Sequence, residues 1–153
     1  MHVRLLAVGK LREPYAAQAC AQFAKRLARH YAFEVLEARV GKGRDPQAVM
    51  REEAARLLAA IQPDDRVWLL DRGGTQFSSE ELARELTGLA DSGVRRLCLV
   101  IAGTYGAAEP LRERADTIWS LSQLTFLHEW ARMIVMEQLY RAAKIVRNEP
   151  YHH

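Results

Sequence analysis

Short runs of aliphatic and β-branched residues alternate with longer segments of helical periodicity along the chain. These runs occupy residues 3–8, 33–40, 66–71, 96–101 and 117–120. Two of them, VWLL and LCLVI, are continuously apolar, as expected for strands that are covered on both faces. Strands that alternate with crossover helices pair in parallel within one sheet. The pattern therefore predicts an α/β layer sandwich built on a parallel sheet.

The segments between the runs carry the signals of helix ends. The predicted helices occupy residues 14–30, 46–61, 79–91, 107–114 and 129–147. Asp45 and Pro46 supply an N-cap and a first-turn proline, and Ser78 with Glu81 has the spacing of a capping box. No linker, repeat or low-complexity segment divides the 153 residues, so we expect a single domain over residues 1–153.

Composition excludes several classes of protein. Apolar residues make up 49% of the chain and charged residues 27%, which are values typical of globular proteins rather than of disordered or disulfide-rich ones. No apolar run approaches the length of about 18 residues that a membrane span needs, so we expect a cytoplasmic protein with no membrane partner. Cys20 and Cys98 lie in apolar segments, which predicts buried thiols rather than a disulfide or a metal pair.

Two motifs suggest common chemistries, but each is incomplete. Gly103 and Gly106 follow the fourth predicted strand without the third glycine of a dinucleotide fingerprint or the lysine of a phosphate-binding loop. His128 and Glu129 begin a zinc-binding His-Glu-x-x-His pattern, but the second histidine is replaced by Arg132. No metal site is therefore predicted. The chain also lacks a Gly-x-Ser-x-Gly elbow, which removes the usual α/β-hydrolase route.

Ligands of open parallel sheets bind beyond the carboxyl ends of the strands. The last three predicted strands end in residues 70–74, 101–106 and 119–128, and we expect these segments to converge at one edge. Residues 39–44, here called the basic loop, combine three cations with two glycines. Residues 1–63 carry 11 basic and 6 acidic residues. Both a phosphate-facing surface and an ordinary solvated connection agree with these charges.

The last predicted helix carries large apolar side chains on more than one face. Met133, Met136, Leu139 and Tyr140 widen its apolar arc beyond what one core requires. The surplus predicts a homodimer contact, although a deeply buried helix would show the same pattern. In such a pair, we hypothesise that the basic loop of one chain lies near the ligand edge of the other.

Several segments of the second half occur in a characteristic order and spacing. They are IAGTYG at 101–106, WSLSQLTFLH at 119–128, Arg132, EQLYRA at 137–142 and NEPYH at 148–152. In this arrangement they resemble the RlmH family of SPOUT methyltransferases, and the similarity extends over essentially the whole chain. The resemblance implies a C-terminal trefoil knot, which pattern reasoning does not predict because connections are almost always unknotted. It also implies a homodimer that transfers a methyl group from S-adenosylmethionine to N3 of a pseudouridine in 23S ribosomal RNA, within the assembled ribosome.

The resemblance implies roles for individual residues. The expected cofactor-binding residues are Leu70, Gly103, Ser122, Gln123, Leu124, Thr125, Phe126 and Leu127. The expected catalytic residues are Arg132, Tyr151 and His152. His152 suits a general base because an ordinary histidine has a pKa of about 6.5, whereas Tyr151 would orient the base and Arg132 would stabilise negative charge. Replacing Gly103 by valine is expected to weaken cofactor binding with little loss of folding.

The chain departs from the family pattern at three positions. Ala102 stands where the family commonly has glycine, Leu127 where it has proline, and His153 where it has arginine or lysine. Two alternative functions stay open. One is a non-catalytic α/β module that binds a nucleotide or RNA, and the other is a related methyltransferase acting on transfer RNA. Binding of S-adenosylmethionine would separate the first alternative from an enzyme.

Overall fold

The structure, a computed structural model, describes residues 1–151 as alternating strands and helices. The strands are β1 (His2–Val8), β2 (Ala32–Ala38), β3 (Arg66–Gln76), β4 (Arg96–Ile101) and β5 (Thr117–Ser120). The helices are α1 (Pro14–Leu27), α2 (Pro46–Ala59), α3 (Ser79–Asp91), α4 (Glu109–Arg114) and α5 (His128–Val146). All neighbouring strands pair in parallel in the order β2-β1-β4-β3-β5. The predicted α/β class is confirmed.

Apolar side chains cover both faces of this sheet, as the continuous apolar runs of β3 and β4 require. On one face, α1, α3 and α5 pack on alternate strand residues such as Leu5 and Leu99, with α5 between the other two helices. On the other face, α2 and α4 pack on the intervening residues, such as Val67 and Val100. Cys20 and Cys98 are buried free thiols on opposite faces, as predicted.

The largest difference from the predicted elements is in β3, which continues to Gln76 instead of ending at residue 71. Residues 71–74 form a bulge, because Leu70 and Thr75 both pair with Trp119 of β5. A bulge bends a strand and leaves its extra residues unpaired. This bulge places residues 71–74 at the carboxyl edge of the sheet.

Several helix and strand ends also differ from the predicted positions. The first helix ends at Leu27 rather than at residue 30, because the N–H of His30 turns back to the carbonyl of Leu27 at 2.9 Å. The fourth helix begins at Glu109 rather than at residue 107, with Pro110 in its first turn, where proline fits best. The second strand and the second helix stop two residues early, and α5 occupies residues 128–146 rather than 129–147.

Fewer apolar side chains of α5 are available for a subunit contact than its sequence suggests. Met136 and Leu139 are 1% and 0% exposed within the core of their own chain, so they are not available to a second subunit. Met133 and Tyr140 are partly buried against the same core. Trp130 remains 46% exposed near the start of α5. The homodimer stays a prediction that rests on fewer side chains.

The sequence analysis also yielded expectations about membrane spans, metal sites and a knot. None of the helices within residues 1–151 is both long and apolar enough to cross a bilayer. Over the same residues, no group of three His, Cys, Asp or Glu side chains is placed to hold a metal ion. The trefoil knot stays a prediction.

Candidate active site

A cavity of about 660 Å³ opens at the carboxyl edge of the sheet, where β3, β4 and β5 end. Its walls come from residues 70–72, 101–107 and most of 121–128. The predicted convergence of these three segments is confirmed. Small-molecule sites usually enclose roughly 300–1,000 Å³, so the cavity is large enough for a nucleoside-sized ligand. A smaller cavity of about 280 Å³, near Met1 and His30, contains none of the predicted site residues.

The hydroxyl of Ser120 holds two walls of the cavity together. Its Oγ lies 3.1 Å from the carbonyl oxygen of Arg72 in the β3 bulge and 3.0 Å from that of Ser122. Ser120 is 1% exposed, so its single proton is donated to one of these two carbonyls rather than to water. Sequence reasoning missed Ser120, whose only signal is a polar residue at the end of an apolar strand.

Most of the residues expected to bind the cofactor line this cavity. They are Leu70, Gly103, Ser122, Leu124, Thr125, Phe126 and Leu127. Gln123 is exposed and is not part of the wall. The hydroxyl of Ser122 accepts a hydrogen bond from the N–H of Leu124 at 3.1 Å, which closes a tight turn around Gln123. Leu124 and Leu127 are 71% and 69% exposed, and they form an apolar rim that a ligand or a partner can cover.

Gly103 lies between the cavity and a buried side chain of α2. A β-carbon added to Gly103 would lie only 2.9 Å from Cδ of Glu53. Glu53 is 3% exposed, so a larger residue at position 103 would displace a buried carboxylate. Valine at this position requires the Glu53 carboxylate to move, and the expectation that folding stays nearly intact remains a prediction. Gly103 stays a predicted cofactor contact through its main chain.

The charged residues of the cavity wall are Asp71, Arg72 and His128. The Asp71 carboxylate pairs with Arg112 of α4 at 2.5 Å and accepts a hydrogen bond from the N–H of Gly73 at 2.9 Å. Its negative charge is thus compensated by a neighbouring guanidinium. His128 is the first residue of α5, and the sequence analysis placed it in the segment expected at this edge without assigning it a role.

Arg132 is almost completely buried, with 1% of its surface exposed. Its guanidinium donates to the carbonyl oxygen of Val8 at 2.8 Å, to that of Gly9, and to Oε1 of Glu37 at 2.8 Å. Val8 ends β1, Gly9 follows it and Glu37 belongs to β2, whereas Arg132 does not line the cavity. The geometry therefore does not favour the predicted direct contact with a reacting base. It makes Arg132 a positioning residue that fixes α5 against the sheet.

Tyr151 packs on the outer surface of α5. Its hydroxyl donates to Oε1 of Glu137, and the Arg141 guanidinium carbon lies 3.6 Å from the centre of its ring. Burial, followed by the Glu137 carboxylate, raises the pKa of Tyr151 to about 12. Tyr151 is therefore a hydrogen-bond donor rather than a base near neutral pH. His152 and His153 lie outside the described residues.

Tyr151 lies beyond the cavity along α5. Ala131 is the last residue of α5 that lines the cavity, and Glu137 and Arg141, which hold Tyr151, come 6 and 10 residues later on the same helix. At about 1.5 Å per residue, this separates Tyr151 from the cavity wall by roughly 9–15 Å along the helix axis. Neither Arg132 nor Tyr151, the two predicted catalytic residues that the structure describes, lines the cavity with the predicted cofactor residues of its own protomer.

The basic loop emerges from β2 at the same edge as the cavity. Arg39, Lys42 and Arg44 are exposed, so their charges are available to a partner. Glu53 joins the base of this loop to the cavity wall, because it accepts a hydrogen bond from the N–H of Gly41 and also packs against Gly103. The loop thus adjoins the cavity of its own chain, without the partner chain that the sequence hypothesis invoked.

Comparison with known proteins shows the family. The family described as "Predicted SPOUT methyltransferase" matches residues 1–152. The chain belongs to this family of SPOUT methyltransferases. A solved structure, the SpoU methyltransferase AviRb from Streptomyces viridochromogenes in complex with AdoMet, has a TM-score of 0.48 and 15% identity. That likeness covers 97% of this SPOUT methyltransferase and 59% of the AviRb chain.

Curated relatives match this SPOUT methyltransferase from end to end. A protein of Gloeobacter violaceus named ribosomal RNA large subunit methyltransferase H is 44% identical over 153 residues, covering 100% of this chain and 99% of the relative. Proteins with the same name from Geotalea daltonii and Rubrobacter xylanophilus are 40% and 44% identical. The first of these alignments covers 100% of both chains, and the second covers 97% of this chain and 96% of the relative. The resemblance to the RlmH family is confirmed.

Proposed function

We propose that this SPOUT methyltransferase transfers a methyl group from S-adenosylmethionine to N3 of a pseudouridine in 23S ribosomal RNA. The cavity carries this proposal, since seven of the eight expected cofactor residues line one space at the carboxyl edge of the sheet. The names of the relatives, at 40–44% identity over nearly their whole length, support a large-subunit RNA substrate. The proposal includes a single domain over residues 1–153, a homodimer, and a cytoplasmic site of action on the assembled ribosome.

The residues around the cavity fit S-adenosylmethionine. Gly103, Gly106 and the hydroxyl residues Thr104 and Ser122 line the cavity beside apolar side chains such as Leu70 and Phe126. Such a combination binds the faces of a purine by apolar contact and its edge by hydrogen bonds. Asp71 and His128 add polar groups that can orient the rest of the ligand. Bound there, S-adenosylmethionine supplies a methyl group that its positively charged sulfur already activates for transfer.

The protein must remove one proton during this reaction. N3 of pseudouridine carries a proton at neutral pH, and its lone pair becomes free to bond the methyl carbon only as that proton leaves. His152 is assigned as the acceptor, because a histidine pKa of about 6.5 suits a general base near pH 7. Tyr151 orients the pseudouridine through contact with its ring, because its one hydroxyl proton is already donated to Glu137. Arg132 acts indirectly by holding α5 in position.

A homodimer accounts for the separation between the tail and the cavity. The tail of one protomer would reach the cavity of its partner, so that two chains complete one site. The exposed side chains of Trp130 and Tyr15 support a contact close to the cavity end of α5, and the indole N–H of Trp130 donates to the Tyr15 hydroxyl at 2.9 Å. This pair is apolar enough to add contact area at an interface of this kind.

Ligand binding and methyl transfer test the proposed function together. Calorimetry should detect binding of both S-adenosylmethionine and S-adenosylhomocysteine. A labelled methyl group should then pass to ribosomal RNA containing pseudouridine at the target position, and not to the same RNA with uridine there. Transfer to transfer RNA instead would support the alternative substrate. Binding of RNA with no binding of either ligand at millimolar concentration would support a non-catalytic module and overturn the proposal.

A further inference from the structure

Glu53 of α2 is a buried acid that the proposed reaction does not use. Only 3% of its surface is exposed. Its Oε1 accepts a hydrogen bond from the N–H of Gly41 at 2.9 Å. Its Oε2 is also hidden from solvent, and no residue within 1–151 donates a hydrogen bond to it. Burying a carboxylate oxygen that accepts no hydrogen bond lowers the stability of the fold. We therefore expect this oxygen to have a favourable interaction that the protein alone does not show.

The unpaired oxygen lies against the wall of the ligand cavity. Gly103 lines the cavity, and a β-carbon added to it would reach 2.9 Å from Cδ of Glu53, with Oε2 as the nearest atom. The carboxylate is thus separated from the ligand space only by the α-carbon of a glycine. Any other residue at position 103 would push the carboxylate away from the cavity.

Neighbouring acids differ from Glu53 because each has a cationic partner. Asp71, on the cavity wall, pairs with Arg112, and Glu52, the preceding residue on α2, pairs with Arg56. No ion pair involves Glu53 among the described residues. A buried charge without a partner is poorly screened by solvent and acts over a longer distance than an exposed one.

We infer that Glu53 makes the cavity prefer the positively charged cofactor over its neutral product, an inference that rests on the proposed function. S-adenosylmethionine carries a sulfonium charge in addition to one ammonium and one carboxylate group. When the carbon–sulfur bond breaks, its electron pair stays on sulfur, and the product thioether has lost that charge. The attraction to the carboxylate behind Gly103 is lost in the same step, so the product is held less tightly. Glu53 therefore acts as a specificity-determining residue without touching the ligand.

The test compares the two ligands on matched variants by calorimetry. Glu53→Gln keeps the side-chain size and the acceptor for Gly41 but removes the charge. At an effective dielectric constant of about 20, the attraction between two unit charges about 10 Å apart corresponds to on the order of a tenfold change in affinity. The dissociation constant for S-adenosylmethionine should therefore rise about tenfold, and that for S-adenosylhomocysteine should change by less than about twofold. Glu52→Gln removes an adjacent charge that is paired and partly exposed, and it should change neither constant.

Two further variants separate charge from packing. Glu53→Asp retains the charge and should keep the preference for S-adenosylmethionine even if both ligands bind more weakly. If Glu53→Gln does not fold, Glu53→Met offers an uncharged side chain of similar length for the same comparison. Equal weakening of both ligands by the uncharged variants would show a structural role and overturn the inference, as would no change in either constant. Failure of the unmodified protein to bind either ligand would instead overturn the proposed function.

Discussion

The carboxylate of Glu129 accepts a hydrogen bond from the backbone N–H of Arg12 at 2.6 Å. It also accepts one from the N–H of Glu13 at 3.1 Å. Glu129 lies in the first turn of α5, whereas Arg12 and Glu13 lead from β1 into α1. Arg132, one turn later, binds the carbonyl of Val8. Two buried side chains thus fix the end of α5 that faces the cavity.

Glu129→Gln is expected to make stability less sensitive to acid. The hydrogen bond from the Arg12 N–H is the main cause that lowers the pKa of Glu129 below its ordinary value. A group with a lowered folded pKa stabilises the fold above its unfolded pKa of about 4.3, and this stabilisation is lost as pH falls through the folded pKa. At pH 7 the variant should lose roughly 1–2 kcal/mol, since the amide can accept only one of the two hydrogen bonds and does so without a charge.

Urea unfolding between pH 7 and pH 3 measures this effect. The difference in the free energy of unfolding between the unmodified protein and Glu129→Gln should shrink toward the acid end of the range. Glu85→Gln, on the exposed face of α3, is the matched control and should behave as the unmodified protein does. A constant difference at every pH would contradict the role of the Glu129 charge.

Arg132→Ala is expected to destabilise the fold by about 3 kcal/mol, because buried carbonyl groups of β1 lose their donor. Arg132→Lys should recover only part of this loss, since one ammonium group cannot reproduce the forked geometry of a guanidinium. Denaturant unfolding, together with methyl transfer per folded molecule, measures both effects. An Arg132→Ala protein that is fully stable but inactive would restore the direct catalytic assignment.

Replacing Arg39, Lys42 and Arg44 by glutamine should weaken RNA binding and flatten its dependence on salt. Each phosphate contact that is lost should reduce the slope of log affinity against log salt by about 0.7–0.9. Lys25, Arg29 and Arg95 are also exposed but lie toward the opposite edge of the sheet, and the triple glutamine variant at those positions is the control. Equal effects of the two triple variants would make the basic loop an ordinary solvated connection.

His152→Ala should lower single-turnover methyl transfer at saturating RNA by about 10²-fold or more, as the loss of a general base would. A chain that ends at Pro150 should show at least the same loss, because Tyr151 is removed as well. The transfer rate and the RNA affinity are both measured for each variant, so that a slower reaction can be told apart from weaker binding. A loss confined to affinity would leave His152 a binding residue, and normal kinetics in both variants would make the tail an ordinary chain end.

The sequence predicted correctly those features of the fold that follow from a local pattern of residues. The apolar runs of β3 and β4 predicted a buried parallel sheet, and the rule for ligand sites then placed Leu70, Gly103 and Ser122 at one edge. The turn around Gln123 depends on a single hydroxyl contact of Ser122, which composition and spacing do not reveal. The resemblance implied that Gln123 binds the cofactor, but Gln123 is exposed and does not line the cavity.

Long-range contacts explain what sequence reasoning missed. Glu53 is adjacent to Glu52 on α2, and nothing local in the sequence distinguishes the buried acid from its partly exposed neighbour. The difference arises because Gly41 and Gly103, far apart in sequence, both meet Glu53. Periodicity likewise could not show that α5, lying between two helices, buries Met136 in its own core.

Nucleoside mass spectrometry of large-subunit ribosomal RNA tests the central claim most directly. RNA from cells that lack this protein is compared with RNA from the same cells supplied with the gene. We predict that N3-methylpseudouridine is absent from the first sample, where unmodified pseudouridine takes its place, and that it is restored in the second. An unchanged level of N3-methylpseudouridine in cells without the protein would contradict the account.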